Sequence, residues 1–195
     1  MSDIGAPRPD PTAIGETSTP PFARLPDPEP LFARRADRFR TLAKGAELGP
    51  YLEFLGRLSD IQHAVQEGLA PAPAPAAEMI ERARTHAMPP IDRATAIEDE
   101  GFMAIFDRLV ARAREIDMPA QAREALGRVA SADGEGRRTL ARAVVANRIP
   151  VEEVAEHVFA AAAVQVHFAR LAGRLDAKAL VPVGDGVCPV CGGAP

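Results

Sequence analysis

Tryptophan is absent from this 195-residue chain, tyrosine occurs once, and aromatic residues make up only 5% of it. Ala, Leu and Val must therefore fill most of the core. Ala suits closely packed helices because it has the best helix propensity. The aromatic platforms on which proteins stack single-stranded nucleic acid are missing. So is any large excess of one charge: the net charge is −4, with both signs interspersed. That balance gives no long-range attraction to phosphate backbones and argues against a nucleic-acid partner. No proline-free stretch stays apolar for the roughly 18 residues of a membrane span. The first residues lack the basic and apolar regions of a secretory signal, so the expectation is a cytoplasmic protein away from the membrane. Cysteine occurs only twice, which excludes a disulfide framework. Of the familiar catalytic patterns, GxSxG, HExxH, the P-loop and GxGxxG are all absent. The sequence offers no complete active site.

What is present is proline, unevenly spread, and helical periodicity between the proline-rich stretches. Eight of the nineteen prolines fall in the first thirty residues. Each removes a backbone donor and biases its predecessor away from the helical region. Residues 1–27 read as a disordered leader. An Asp that can cap and a Pro suited to the first turn, Asp27-Pro28, open the first helix. Leu31, Phe32, Ala36, Phe39, Leu42 and Ala43 recur at three- and four-residue steps, and Arg34, Arg35, Arg38 and Arg40 mostly take the other side. Gly49-Pro50 opens a second helix, antiparallel to the first across a short link. A PAPAPAA connector at 71–77 favours extended backbone. A short helix near Glu78–His86 follows, and then Met88-Pro89-Pro90-Ile91-Asp92, which must be extended or turned. Phe102, Ile105, Phe106, Leu109, Val110 and Ala113 mark the next helix, started by Glu98-Asp99-Glu100 as acidic compensation of its dipole. Two shorter helices at 119–131 and 136–147 lead to the longest one, at 150–175. Between Val158 and Ala169 that helix is apolar on nearly every side, which predicts a place at the centre of the bundle. Val158, Phe159, Ala162 and Val166 are expected to be buried. The reading is an all-α bundle of six or seven helices over residues 28–180. Residues 181–195 then form the start of a metal module.

The sharpest chemical signal is Cys188-Pro189-Val190-Cys191-Gly192-Gly193. Two thiolates two residues apart grip a tetrahedral ion from one tight turn, and the glycine after the second lets the backbone take positive φ. A thioredoxin-type site would instead open a helix after a buried strand, a context that is missing here. A thiol–disulfide enzyme using Cys188 and Cys191 remains the alternative reading. A tetrahedral site wants four ligands, and no second CxxC supplies them. The histidines are poor substitutes: His63 lies on the second helix and His86 in a loop approach. His157 shares a face with Val164, Phe168 and Leu171, while His167 falls on the polar side with Glu156, Arg170 and Arg174. The turn is therefore half a site, expected to bind iron or zinc only weakly from a flexible tail. A homodimer pairing two tails would complete four thiolates.

Several stretches, in this order and spacing, resemble the formate dehydrogenase accessory protein E family. They are Ala33–Ala43, Leu48–Phe54, Met88–Asp92, Ala162–Ala169 and the terminal Cys188–Gly192, which resembles the first of that family's CxxC motifs. The resemblance implies a helical N-terminal domain followed by rubredoxin-like or zinc-ribbon modules built from several CxxC pairs. It implies a non-enzymatic maturation factor that binds the catalytic subunit of respiratory formate dehydrogenase in the cytoplasm, with iron or zinc in the complete module. Only Cys188 and Cys191 match the metal ligands, so the chain reads as a C-terminally truncated member. The arginines of the first helix and the Met88–Asp92 loop are the candidate surfaces for the client.

Overall fold

A computed structural model describes residues 21–194, and among them it contains eight α-helices and no strand. The first helix, α1 (Pro28–Ala43), starts where the Asp27 carboxylate accepts a hydrogen bond from the Glu29 amide at 3.3 Å, with Pro28 in the first turn. Its buried residues are Phe32, Ala36 and Ala43. The second helix, α2 (Gly49–Ala64), returns antiparallel to it. Gly49 permits the tight approach, since a Cβ there would sit 2.8 Å from the Ala43 carbonyl oxygen. Arg40 ties the pair by reaching both Asp37 at 3.0 Å and Asp60 on α2.

The proline-rich connector leads to a peripheral helix, α3 (Ala77–Thr85), which buries only Ala83. A four-residue helix not foreseen in the periodicity, α4 (Arg93–Ala96), follows. Asp92 nucleates it by accepting from the amides of Ala94 at 2.8 Å and Thr95 at 3.2 Å. Asp99 caps α5 (Glu100–Ala113), and Asp133 caps α7 (Gly134–Val145), with α6 (Ala120–Ser131) between them. The acidic run before α5 does more than offset a dipole. Glu98 receives Arg142 of α7 through two hydrogen bonds of 2.8 and 3.0 Å, which hold its carboxyl below the usual carboxylate range.

A single 3-10 turn at Val151–Glu153 leads into α8 (Val154–Ala172), against which α1, α2, α5, α6 and α7 all pack. Ala160, Ala162 and Ala163 are buried on it and allow close approach, while Phe159 and Val166 are fully buried. Phe159 meets Phe54 of α2 edge-on at 6.2 Å between centroids, and Phe102 and Phe106 of α5 lie 5.8 Å apart. No helix among the described residues is long and apolar enough to cross a membrane.

The central position of α8 and the all-helical class agree with the sequence reading. Four details differ. The bundle has eight helices rather than six or seven, α4 being the addition. Val158 is half-buried because it packs only on the edge of the core and its other side lines a groove beside Tyr51. His167 and Glu156, assigned to the polar side of α8, are both buried, at 5% and 8% exposure. The polar side of the isolated helix is covered on one flank by α4 and on the other by α6, so His167 reaches the Ala96 carbonyl at 2.9 Å and Glu156 pairs with Arg128. Of the leader assigned to 1–27, residues 1–20 lie outside the described residues. Residues 21–27 follow an irregular path, with Ala23 and Leu25 packed on apolar neighbours.

Candidate metal centre

Beyond α8 the chain passes through a short 3-10 turn at Ala177–Ala179 and buries Leu180. It then folds the cysteine segment back onto the helical body. There a second, smaller apolar cluster forms around Ile91, Ala172, Leu180 and Val190, and both Cys188 and Cys191 pack against it. This is a correction to the flexible tail expected from the sequence. One apolar residue between two cysteines, Val190, is enough to seat the turn because the Met88–Asp92 loop supplies a matching apolar and hydrogen-bonding surface. The Ile91 amide donates to the Val190 carbonyl at 3.0 Å, and Pro90 and Ile91 are buried. That loop, a candidate for contact with a client, is thus turned inward for most of its length.

The turn is closed by two backbone hydrogen bonds of 2.8 Å, from the Gly192 amide to the Cys188 carbonyl and from the Cys188 amide to the Gly193 carbonyl. Gly192 has φ of 69°, and a Cβ there would come within 3.0 Å of the Pro89 ring. Both reasons demand glycine. Gly193 is buried beneath Arg93, whose guanidinium lies so close that a Cβ would meet Nη1 at 2.9 Å. Both cysteines are free and half-buried. Burial pushes the Cys191 thiol up, and the neighbouring Cys188 sulfur adds to the effect. The Gly193 amide and the Arg93 charge pull the other way.

These residues fit half of a tetrahedral thiolate site: two sulfurs on one turn, with a backbone amide and a cation beside them. The other half is not among the described residues, which contain no group of three or more His, Cys, Asp or Glu arranged to hold a metal. His157 bonds the Glu153 carbonyl through Nδ1 at 2.6 Å, and His167 is spent on Ala96. His86 is the residue that ends α3, and His63 borders a separate cavity of about 690 Å³ with Asp27, Gln66 and Arg170. Among the first-helix arginines, Arg35 lies over the Phe32 ring at 4.9 Å and bonds Gln165, and Arg40 is paired, which leaves Arg34 and Arg38 exposed. Sequence reasoning found the two cysteines and missed their seat, Ile91 and Arg93. The only hint was a rigid Pro-Pro followed by a capping Asp.

With helices and turn in place, the likenesses to other proteins can be set beside them. The family described as "FdhE, N-terminal" matches residues 20–185. The chain belongs to the FdhE family. An FdhE homolog from Rhizobium meliloti is 42% identical over 188 residues, covering 96% of this chain and 61% of that protein. Another from Pseudomonas aeruginosa is 30% identical over 182 residues, covering 90% and 57%. The crystal structure of the FdhE protein from Pseudomonas aeruginosa superposes with a TM-score of 0.73 at 28% identity, over 88% of this chain and 60% of that one. The chain therefore spans about three fifths of the length of these FdhE relatives. The family match ends before Cys188, so it rests on the helical body rather than on the cysteines.

Proposed function

We propose that this chain acts as an accessory factor in forming active respiratory formate dehydrogenase, binding the catalytic subunit in the cytoplasm through its helical body. The observation that carries the reading is membership of the FdhE family over nearly the whole bundle. The supporting geometry is a cysteine turn held on that bundle by the Ile91–Val190 hydrogen bond rather than trailing from it. A rigid seat couples whatever the turn binds to whatever the bundle contacts. Cys188 and Cys191 would be two ligands of an iron or zinc ion, which would supply structural closure or, with iron, one-electron chemistry. The chain's own residues orient the two sulfurs, shield them on one side with Val190 and Leu180, and place the Gly193 amide beside Cys191. Arg34 and Arg38, exposed on α1, are the surface cations offered to a client. A pull-down with a formate dehydrogenase catalytic subunit tests the reading. Retention by this chain, weakened in an Arg34→Glu, Arg38→Glu double variant, is the expected result. Binding by a longer FdhE relative that this chain fails to show overturns the assignment of recognition to the helical body.

A further inference from the structure

We propose that the groove beside Tyr51 and Val158 is the interface of a two-fold homodimer, in which Val151 of each copy enters the hollow between Phe39 and Leu55 of the other. This association goes beyond the client reading and does not involve the cysteine turn. Two hollows open on this face of the bundle. One, of about 470 Å³, is lined by Val151, Val154 and Pro119, and the other, of about 230 Å³, by Phe39, Leu55 and Ala161. Tyr51 and Val158 line both and so stand between them. Val151, on the 3-10 turn before α8, is 87% exposed, and Val154, the first residue of α8, is 51% exposed. Tyr51 also remains exposed. Single apolar side chains in solvent are ordinary, but three around one hollow make a contiguous patch of the kind that marks a protein interface.

Charge identifies the occupant. Arg35 lines the Phe39 hollow, and among the described residues it forms no ion pair with any carboxylate. Burial pushes its guanidinium pKa down, as expected of a cation with no counter-charge. Glu124 and Glu152 line the Val151 hollow and are equally unpaired, since Arg128 beside them is committed to Glu156. The groove thus has a cationic end with a hollow and an anionic end with a projecting valine. Such a surface is complementary to itself, because a two-fold axis through Tyr51 and Val158 carries each end onto the other. Val151 then meets the Phe39–Leu55 hollow and Glu152 meets Arg35, on both sides of the axis. A foreign partner would need to reproduce this pattern of knob, hollow and opposite charge, whereas a second copy carries it already.

Sedimentation equilibrium of the full chain tests the pairing, with reductant and chelator present so that neither a disulfide nor a shared metal joins the copies. A monomer–dimer equilibrium is expected. Val151→Asp, at an exposed position, should abolish the dimer and leave the helical circular dichroism unchanged. Glu152→Lys should weaken the dimer about tenfold, because symmetry makes each reversed charge count twice. Combining it with Arg35→Glu swaps both signs and should restore association. If that swap lowers the helical signal, the neutral variants Arg35→Met and Glu152→Gln replace it: each alone weakens the dimer, and the two together weaken it no more than either. A parent chain that stays monomeric at every concentration overturns the proposal, as does a dimer that Val151→Asp leaves intact. So do charge variants that act independently of each other, and species that grow beyond the dimer with concentration, which mark a head-to-tail contact.

Discussion

The backbone amide of Ile91 and the backbone carbonyl of Val190, ninety-nine positions apart, are joined by a 3.0 Å hydrogen bond that fastens the cysteine turn to the loop before α4. Gly192 guards this joint, because its positive φ and the Pro89 ring together leave no room for a side chain. Gly192→Ala is expected to cost about 1–2 kcal/mol locally while leaving the helical body folded. Amide exchange reads this directly: faster exchange at Ile91 with unchanged protection in α5 and α8 is the predicted pattern. Unchanged exchange at Ile91 would show that the turn tolerates the extra methyl.

Phe159 lies fully buried between α8 and α2, against Phe54. Its replacement by Ala is expected to lower stability by about 3–5 kcal/mol in denaturant unfolding. Val158→Ala, at a half-buried groove position, is expected to lose less than about 1.5 kcal/mol. Similar losses at both positions would contradict the orientation of α8.

Acid should weaken the fold in two separable steps. Burial lowers the His167 pKa, so below about pH 6.5 the unfolded chain takes up that proton first and stability falls. Glu156 is held below the ordinary carboxylate range. Burial, the largest single influence, pushes it up, but its bond to Arg128, its own backbone amide and the charges of Arg128 and His157 together outweigh burial. Its contribution is therefore present above the ordinary carboxylate pKa and is lost as pH falls through that range toward the native value. His167→Gln keeps a donor for the Ala96 carbonyl and should remove the upper step alone. Glu156→Gln should cost about 1–2 kcal/mol at neutral pH and reduce the lower step, to which Glu98, held below the carboxylate range by Arg142, also contributes. Unfolding curves across pH 3 to 7 check both signs.

Zinc or iron is expected to bind this chain weakly at low protein concentration, because two thiolates leave about half of a tetrahedral shell to water. The seated turn reduces the ordering that binding would otherwise require, so the deficit is in ligand number rather than in flexibility. Metal analysis over a range of protein concentrations, with Cys188→Ser as control, distinguishes the cases. Binding that strengthens with concentration indicates pairing of two turns. Stoichiometric, chelator-resistant metal in dilute monomer would require ligands that the present geometry does not bring together.

Helices with strong three- and four-residue spacing, such as α1 and α5, could be read from the sequence together with the Asp27 cap, since these signals are local. The misplacement of Glu156 and His167 has a different origin. Periodicity places a residue on a face of its own helix, but only the partners α4 and α6 decide whether that face meets water. The cysteines were legible as a chemical pair because their spacing is a local constraint. Their seat was not, because Ile91, Arg93 and Gly193 become neighbours only through the tertiary fold.

The helix that most of the bundle packs against is also the last of the eight in chain order. A nascent chain leaving the ribosome therefore exposes Phe54, Phe102 and Phe106 well before Phe159 and Val166 are synthesised to cover them. At roughly 5–20 residues per second of elongation, the gap between the end of α5 at Ala113 and the end of α8 at Ala172 lasts on the order of several seconds. Through that interval the early helices form an open half-shell, a substrate for chaperones that bind apolar surface, and translation pauses between α7 and α8 would lengthen the exposure.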